Sequence, residues 1–131
     1  MSIGKAWAPA EIDAIIGLYL IMRVLVARGE RFNKRALIRE QIAGYPVAML
    51  NGVNLAGPLA TRSRQSCEMK LMNVTACLES LGRDDLSMAD HGYKPLNSYQ
   101  AALRDRVYDL VRGYSIVDME AIGERAAAGT A

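Results

Sequence analysis

The side chains best suited to chemistry gather at the start of one predicted helix, residues 63–81. Arg62 and Arg64 stand at its amino terminus, where basic side chains and the positive end of the helix dipole would together favour a phosphate group. Polar side chains on one arc of this helix could offer hydrogen bonds to base edges, and Asn73 is suited to adenine. The residues of this region that we expect to contact nucleic acid are Arg62, Arg64, Gln65, Ser66, Met69, Lys70 and Asn73.

The same helix has a second, apolar side. Hydrophobic residues recur along it with helical spacing, so they form one stripe that a core would bury. The stripe consists of Cys67, Leu71, Val74, Leu78 and Leu81. Outside it lie Cys77 and an opposite arc of Gln65, Ser66, Met69, Met72, Asn73, Ala76 and Ser80. The opposite arc carries no carboxylate, but its methionines could equally pack on another helix while Asn73 is merely solvated.

Charge is distributed unevenly along the 131 residues, whose net charge is only +2. Residues 28–70 contain eight basic and three acidic side chains, whereas residues 79–131 contain six basic and nine acidic ones. The basic middle indicates a polyanionic partner, although a solvated surface would have the same pattern. If the partner is double-stranded DNA, a predicted helix at 34–43 and a later loop would add backbone contacts. These further contacts are expected from Lys34, Arg35, Arg39 and Lys94.

Periodicity, together with helix start and stop signals, predicts a framework for these residues that is mostly α-helical. We predict a compact single domain, residues 1–131, of four to five helices with a helix-turn-helix-like core. The first predicted helix opens within residues 7–11 and runs to about residue 27. The others span residues 34–43, 63–81, 97–112 and a short segment from 115. The predicted loops are 44–61, in which 45–60 could form a small β-hairpin, and 83–96; the ends 1–6 and 126–131 should fray.

The first predicted helix is apolar nearly all round, which is typical of a central, buried helix. Pro9 suits its first turn because that position needs no backbone donor, and Gly29 marks its end. Tyr19 lies in the apolar middle, so we expect its hydroxyl group to reach a polar partner within the core.

Capping signals mark the starts of three later helices. Ser63 is the predicted cap of the helix at 63–81. Asn97 with Gln100 three residues later resembles a capping box and predicts a helix that opens there and continues to about residue 112. Ser115 with Asp118 predicts the start of a short final helix.

The sequence lacks the residue patterns of an enzyme or a metal site. It has no metal-ligand spacing of Cys and His, no Gly-rich phosphate loop and no nucleophile elbow, and its one histidine, His91, lies in a predicted loop. Cys67 and Cys77 are ten residues apart on one predicted helix, too far for a disulfide. We therefore expect a non-catalytic protein without cofactor or metal, in a reducing, cytoplasmic setting and without a membrane span.

Several spaced motifs together resemble a known kind of module. They are Trp7, Glu11, Tyr19 and Met22; Phe32-Asn33-Lys34; Arg62-Ser63 with Ser66, Glu68, Lys70 and Asn73; and Gly92-Tyr93-Lys94-Pro95 with Asn97, Tyr99 and Gln100. This set resembles the helical amino-terminal module of certain bacterial restriction-type proteins of unknown function, and more loosely the Myb-like plan. The resemblance implies a nucleic-acid-facing or modification-sensing module, here free-standing, which would suit a phage, a mobile element or a defence system.

A protein-interaction module is the alternative function. The seven methionines and the uncharged arc of Met69, Met72 and Ala76 could form a docking or dimer surface. A protein of this kind could act as an inhibitor or adaptor that binds a host defence enzyme or a nucleic-acid-handling enzyme. A third interpretation is self-assembly alone, with the basic residues facing solvent.

Overall fold

The computed structural model describes residues 6–33, 59, 62–119 and 121, and within them the fold is mostly α-helical with no β-strand. Its main elements are α1 (Pro9–Ala27), α2 (Arg64–Ser80) and α3 (Ala101–Val111). Short 3-10 turns at Asp84–Leu86 and Ala89–His91 follow α2, and a final helical turn occupies residues 116–119. The predicted helix at 34–43, the predicted end at 126–131 and, apart from Leu59, the hairpin segment 45–60 lie outside the described residues.

Helix α1 forms the centre of the core, as its all-round apolar sequence predicts. It begins at Pro9, where the Glu11 carboxylate accepts a 2.8 Å hydrogen bond from the Ala8 backbone N–H. It ends at Ala27, and Gly29 then takes a left-handed conformation (φ 69°) that only glycine adopts readily. The predicted polar partner of Tyr19 is confirmed, since its hydroxyl lies 2.7 Å from Thr75 Oγ1 and accepts a 2.6 Å hydrogen bond from the Met88 N–H.

Helix α2 has the predicted bounds, but its burial differs from the prediction. The Ser63 hydroxyl accepts a 3.1 Å hydrogen bond from the Ser66 N–H, which confirms the predicted cap. Within the second half of α2, all residues from 73 to 78 are buried, so this stretch is enclosed on every side. Cys77, predicted to lie off the core stripe, is fully buried, because α1 packs on one side of α2 and α3 packs on the other.

Helix α3 begins at Ala101, four residues later than the capping-box pattern predicted. Residues 93–100 form no helix, because their backbone is bonded to α2 instead: the Leu96 N–H donates to the Met72 carbonyl at 3.1 Å. Asn97 is therefore not the helix cap, and Gln100 occupies that position without a side-chain hydrogen bond. The later capping box is confirmed, since the Ser115 N–H donates to an Asp118 carboxylate oxygen at 2.8 Å.

Ion pairs join α1 to the two other main helices. Asp13 on α1 pairs with Arg106 on α3 at 2.5 Å, and Glu11 pairs with Arg62 at the entry to α2. These pairs hold α1 in register with both of its neighbours. In the part of the chain described here, none of the helices has both the length and the apolar character that crossing a bilayer requires.

Candidate nucleic-acid interface

The first half of α2 projects an exposed surface that the other described residues do not cover. Arg64, Gln65 and Met69 are exposed there, and Met69 keeps 48% of its surface accessible to solvent. At about 100° per residue these three side chains share an arc of about 140°. We call this surface of Arg64, Gln65 and Met69 the α2 face.

Residues 93–98 cross the outer side of α2 and form the border of the α2 face. Tyr93 is buried, and the nearby charge of Glu68 adds to a burial effect that raises the pKa of Tyr93 to about 12. Farther along, Leu96 is bonded to the carbonyl of Met72. We call residues 93–98 the crossing segment. Lys94 is exposed on this segment, directly after buried Tyr93 and two residues before Leu96.

Asn73 attaches the crossing segment and does not face bases as predicted. Its side-chain amide donates to the carbonyl of Leu96 at 2.7 Å and to the carbonyl of Ser98 at 3.3 Å. Only 4% of Asn73 is accessible to solvent. The predicted adenine contact by Asn73 is therefore wrong for this fold, because the amide donors are already used inside the protein.

Arg62 is likewise buried, and its side chain is bonded to other residues of the protein. Its guanidinium donates to both carboxylate oxygens of Glu11, at 2.6 and 2.9 Å, and to the Ala6 carbonyl at 2.9 Å. It also lies 4.6 Å from the centre of the Trp7 ring and is 5% exposed. Hydrogen bonding to Glu11 raises the pKa of Arg62. The phosphate contact predicted for Arg62 is wrong, since this buried, bidentate ion pair fixes the start of α2 to α1.

Lys70 and Ser66 lie beside the α2 face, on the flank that points toward Trp7. Lys70 is half-buried, and its ammonium group lies 5.1 Å from the centre of the Trp7 ring. Burial and, to a smaller extent, the charge of Arg62 lower the pKa of Lys70. Ser66 is half-buried, and its hydroxyl accepts a 3.0 Å hydrogen bond from the Ser63 hydroxyl.

The structure thus divides the predicted site. Arg64, Gln65 and Met69 lie together with Ser66 at their edge, and Lys94 is on the adjoining segment. Lys34, Arg35 and Arg39 lie outside the described residues.

Sequence reasoning missed the buried pair of Glu11 and Arg62. One signal was available: Glu11 opens a helix that is otherwise apolar, and a carboxylate carried into a core requires a cationic partner. The sequence contains nothing that would identify Arg62 as that partner.

The described residues contain no group of three or more His, Cys, Asp or Glu side chains placed to hold a metal ion. Both cysteines are buried free thiols. Burial raises the pKa of Cys67 to about 11 and that of Cys77 to about 12, so both are protonated near neutral pH. A protonated, inaccessible thiol is a poor nucleophile and a poor metal ligand.

Comparison of the chain with protein-family models, with curated proteins and with solved structures found no match. The resemblance to a restriction-type module therefore stays a prediction.

Proposed function

We propose that this protein binds double-stranded DNA through the α2 face and Lys94. One observation carries the proposal: Arg64, Gln65 and Met69 in the first half of α2 are exposed, whereas residues 73–78 farther along the helix are all buried. Recognition helices of DNA-binding proteins are used in this way, with their amino-terminal residues against the base edges. Here the Glu11–Arg62 ion pair and the crossing segment hold the exposed half of α2 in place.

Each exposed side chain has a suitable role against a duplex. Arg64 and Lys94 are exposed cations that would contact phosphates on either side of a groove. Gln65 can bond an adenine through its amide, taking the role that Asn73 is not free to fill. Met69 is one turn farther along the same side, where its thioether would pack on the methyl group of a thymine. Lys34, Arg35 and Arg39 would add backbone contacts.

The proposal is tested by the salt dependence of binding. Fluorescence anisotropy of a short labelled duplex is measured across a salt series for the protein and for the double variant Arg64→Gln/Lys94→Gln. If both cations contact phosphates, the slope of log affinity against log salt should decrease by about 1.8. The charge-matched control is Arg104→Gln/Arg112→Gln, two exposed cations of the α3 region whose loss should leave the slope almost unchanged. Absence of binding at low salt, or equal effects of the two double variants, would refute the proposal.

Binding to a protein partner is the second candidate function, and exposed Met69 favours it. A large apolar side chain that is half exposed among polar residues is a common feature of docking surfaces. The two candidates differ in their dependence on DNA length. Affinity that rises with duplex length indicates DNA, whereas retention on a partner, lost in Met69→Gln and unaffected by nuclease treatment, indicates a protein. The phage, mobile-element or restriction context and the cytoplasmic setting belong to the same proposal.

A further inference from the structure

A corner of the molecule beside the α2 face combines one aromatic ring with two cations. Arg62 and Lys70 lie 4.6 and 5.1 Å from the centre of the Trp7 ring. Both charges are therefore within about 10 Å of each other, a separation over which charges still interact at ordinary ionic strength. The ring itself is partly buried and packs against the hydrophobic core. We call Trp7, Arg62 and Lys70 the tryptophan corner.

The two cations differ in their partners. The charge of Arg62 is matched by Glu11, which binds it through both carboxylate oxygens. Lys70 has no hydrogen bond and no ion pair with any described residue. Its ammonium group makes a cation–π contact with the Trp7 ring. The indole N–H of Trp7 also lacks an acceptor among the described residues. Two neighbouring donors, one of them charged and half-buried, thus have no acceptor from this part of the protein.

The carboxylates of Glu11 and Glu68 do not pair with Lys70. Glu11 is already engaged by Arg62 and by the Ala8 N–H. Glu68 is two residues before Lys70 on α2, so it lies on another side of the helix, where its charge acts on Tyr93. Half-buried cations normally have a hydrogen-bonded or ionic partner, because partial desolvation without compensation is unfavourable. An anion from outside the protein would satisfy Lys70 and offset its repulsion by Arg62.

We propose that Trp7 and Lys70 form a binding site for a single phosphate group. Lys70 would donate charge-assisted hydrogen bonds to the phosphate oxygens, and the Trp7 N–H would donate one more. Lys70 follows Met69 directly and so points about 100° away from it around α2. The site is therefore separate from the α2 face and goes beyond the proposed base contacts. The phosphate can belong to a nucleic-acid backbone or be free in solution.

Trp7 is the only tryptophan in the chain, so its fluorescence reports directly on this site. Sodium phosphate is titrated into the protein at constant ionic strength, with sodium chloride as the balancing salt. We expect a saturable change in the Trp7 emission that chloride alone does not cause. Lys70→Gln should weaken the apparent phosphate affinity about tenfold or more, whereas Lys70→Arg should retain binding. Arg112→Gln, which removes an exposed cation outside both proposed sites, is the matched control and should behave as the unmodified protein.

Circular dichroism of each variant verifies that it is folded before its titration is interpreted. An emission change that is equal in phosphate and chloride, or equal in the unmodified protein and folded Lys70→Gln, would overturn the proposal. A duplex added to the phosphate-free protein identifies the source of the ligand. The same emission change, lost in Lys70→Gln, assigns the site to the nucleic-acid backbone, and no change assigns it to free phosphate. The DNA-binding proposal fails separately, through the Arg64 and Lys94 variants.

Discussion

The ion pair between Glu11 and Arg62 leads to the sharpest prediction about stability. Arg62→Met removes the guanidinium and leaves Glu11 with its carboxylate largely enclosed, since the two residues are only 9% and 5% exposed. Breaking a buried ion pair from one side destabilises a protein by about 3–5 kcal/mol, because the remaining charge is desolvated without a partner. Loss of the contact with Trp7 acts in the same direction. We therefore expect Arg62→Met to lower the free energy of unfolding by about 4 kcal/mol.

Arg64→Met is a matched control, because it makes the same substitution two residues away at an exposed position. Its effect on the free energy of unfolding should stay within about 0.5 kcal/mol. Urea unfolding followed by far-ultraviolet circular dichroism measures both variants. Tryptophan fluorescence is unsuitable here, since Arg62 contacts the only tryptophan. With a urea dependence of about 2 kcal/mol per molar, the midpoint of Arg62→Met should fall by about 2 M.

The double variant Glu11→Gln/Arg62→Met separates charge from packing. The amide that Glu11→Gln introduces carries no charge, so this double variant should be more stable than Arg62→Met alone if an unpaired carboxylate is the main cause. Equal midpoints for Arg62→Met and Arg64→Met would refute the conclusion that the ion pair holds the start of α2. A large loss in Arg62→Met that Glu11→Gln does not reduce would instead assign the effect to packing against Trp7.

Four further outcomes are expected. Asn73→Ala leaves two carbonyls of the crossing segment without their donor and should lower stability by about 1–3 kcal/mol in urea unfolding, whereas exposed Asn97→Ala should change it little; equal effects would contradict the role of the amide. Ellman's reagent at neutral pH should react with Cys67 and Cys77 only after urea is added, and rapid reaction of the native protein would contradict their burial. Because folding raises the pKa of these thiols to about 11 and 12, their contribution to stability is complete below about pH 8.5 and is lost as the pH rises toward 12. Finally, replacing thymine by uracil in the duplex should lower the affinity of the unmodified protein but not that of Met69→Ala. An equal loss of affinity in both proteins would contradict a contact between Met69 and a base.

Local signals in the sequence were enough to place α1 and α2. Pro9 and Gly29 mark the two ends of α1, and Ser63 marks the start of α2, because a proline ring, a left-handed glycine and a capping hydroxyl act within one helical turn. The start of α3 was misplaced for the opposite reason. Asn97 has a capping pattern, but the backbone around it bonds to α2, more than twenty residues away, and the long-range bonds prevailed.

In the candidate site, too, local periodicity determined some features and long-range packing determined the others. Sequence placed Gln65 and Met69 on one arc of a helix, which periodicity alone determines, and Arg64 at the entry to that helix. It could not separate them from Asn73 on the same arc, because the burial of Asn73 depends on the crossing segment and on the packing of α3. Charge patterning likewise grouped Arg62 with Arg64, although one is enclosed and the other exposed.

The sequence by itself determined the helical class, the bounds of α1 and α2 and the apolar stripe along α2, since each depends on residues within a few positions of one another. Only the tertiary structure decided which polar side chains remain accessible. Glu11 meets Arg62 across 51 residues and Asn73 meets Leu96 across 23, and such pairings arise from how the helices pack together. Exposure is a property of that packing, so the division between structural and ligand-facing polar residues could be read only from the folded chain.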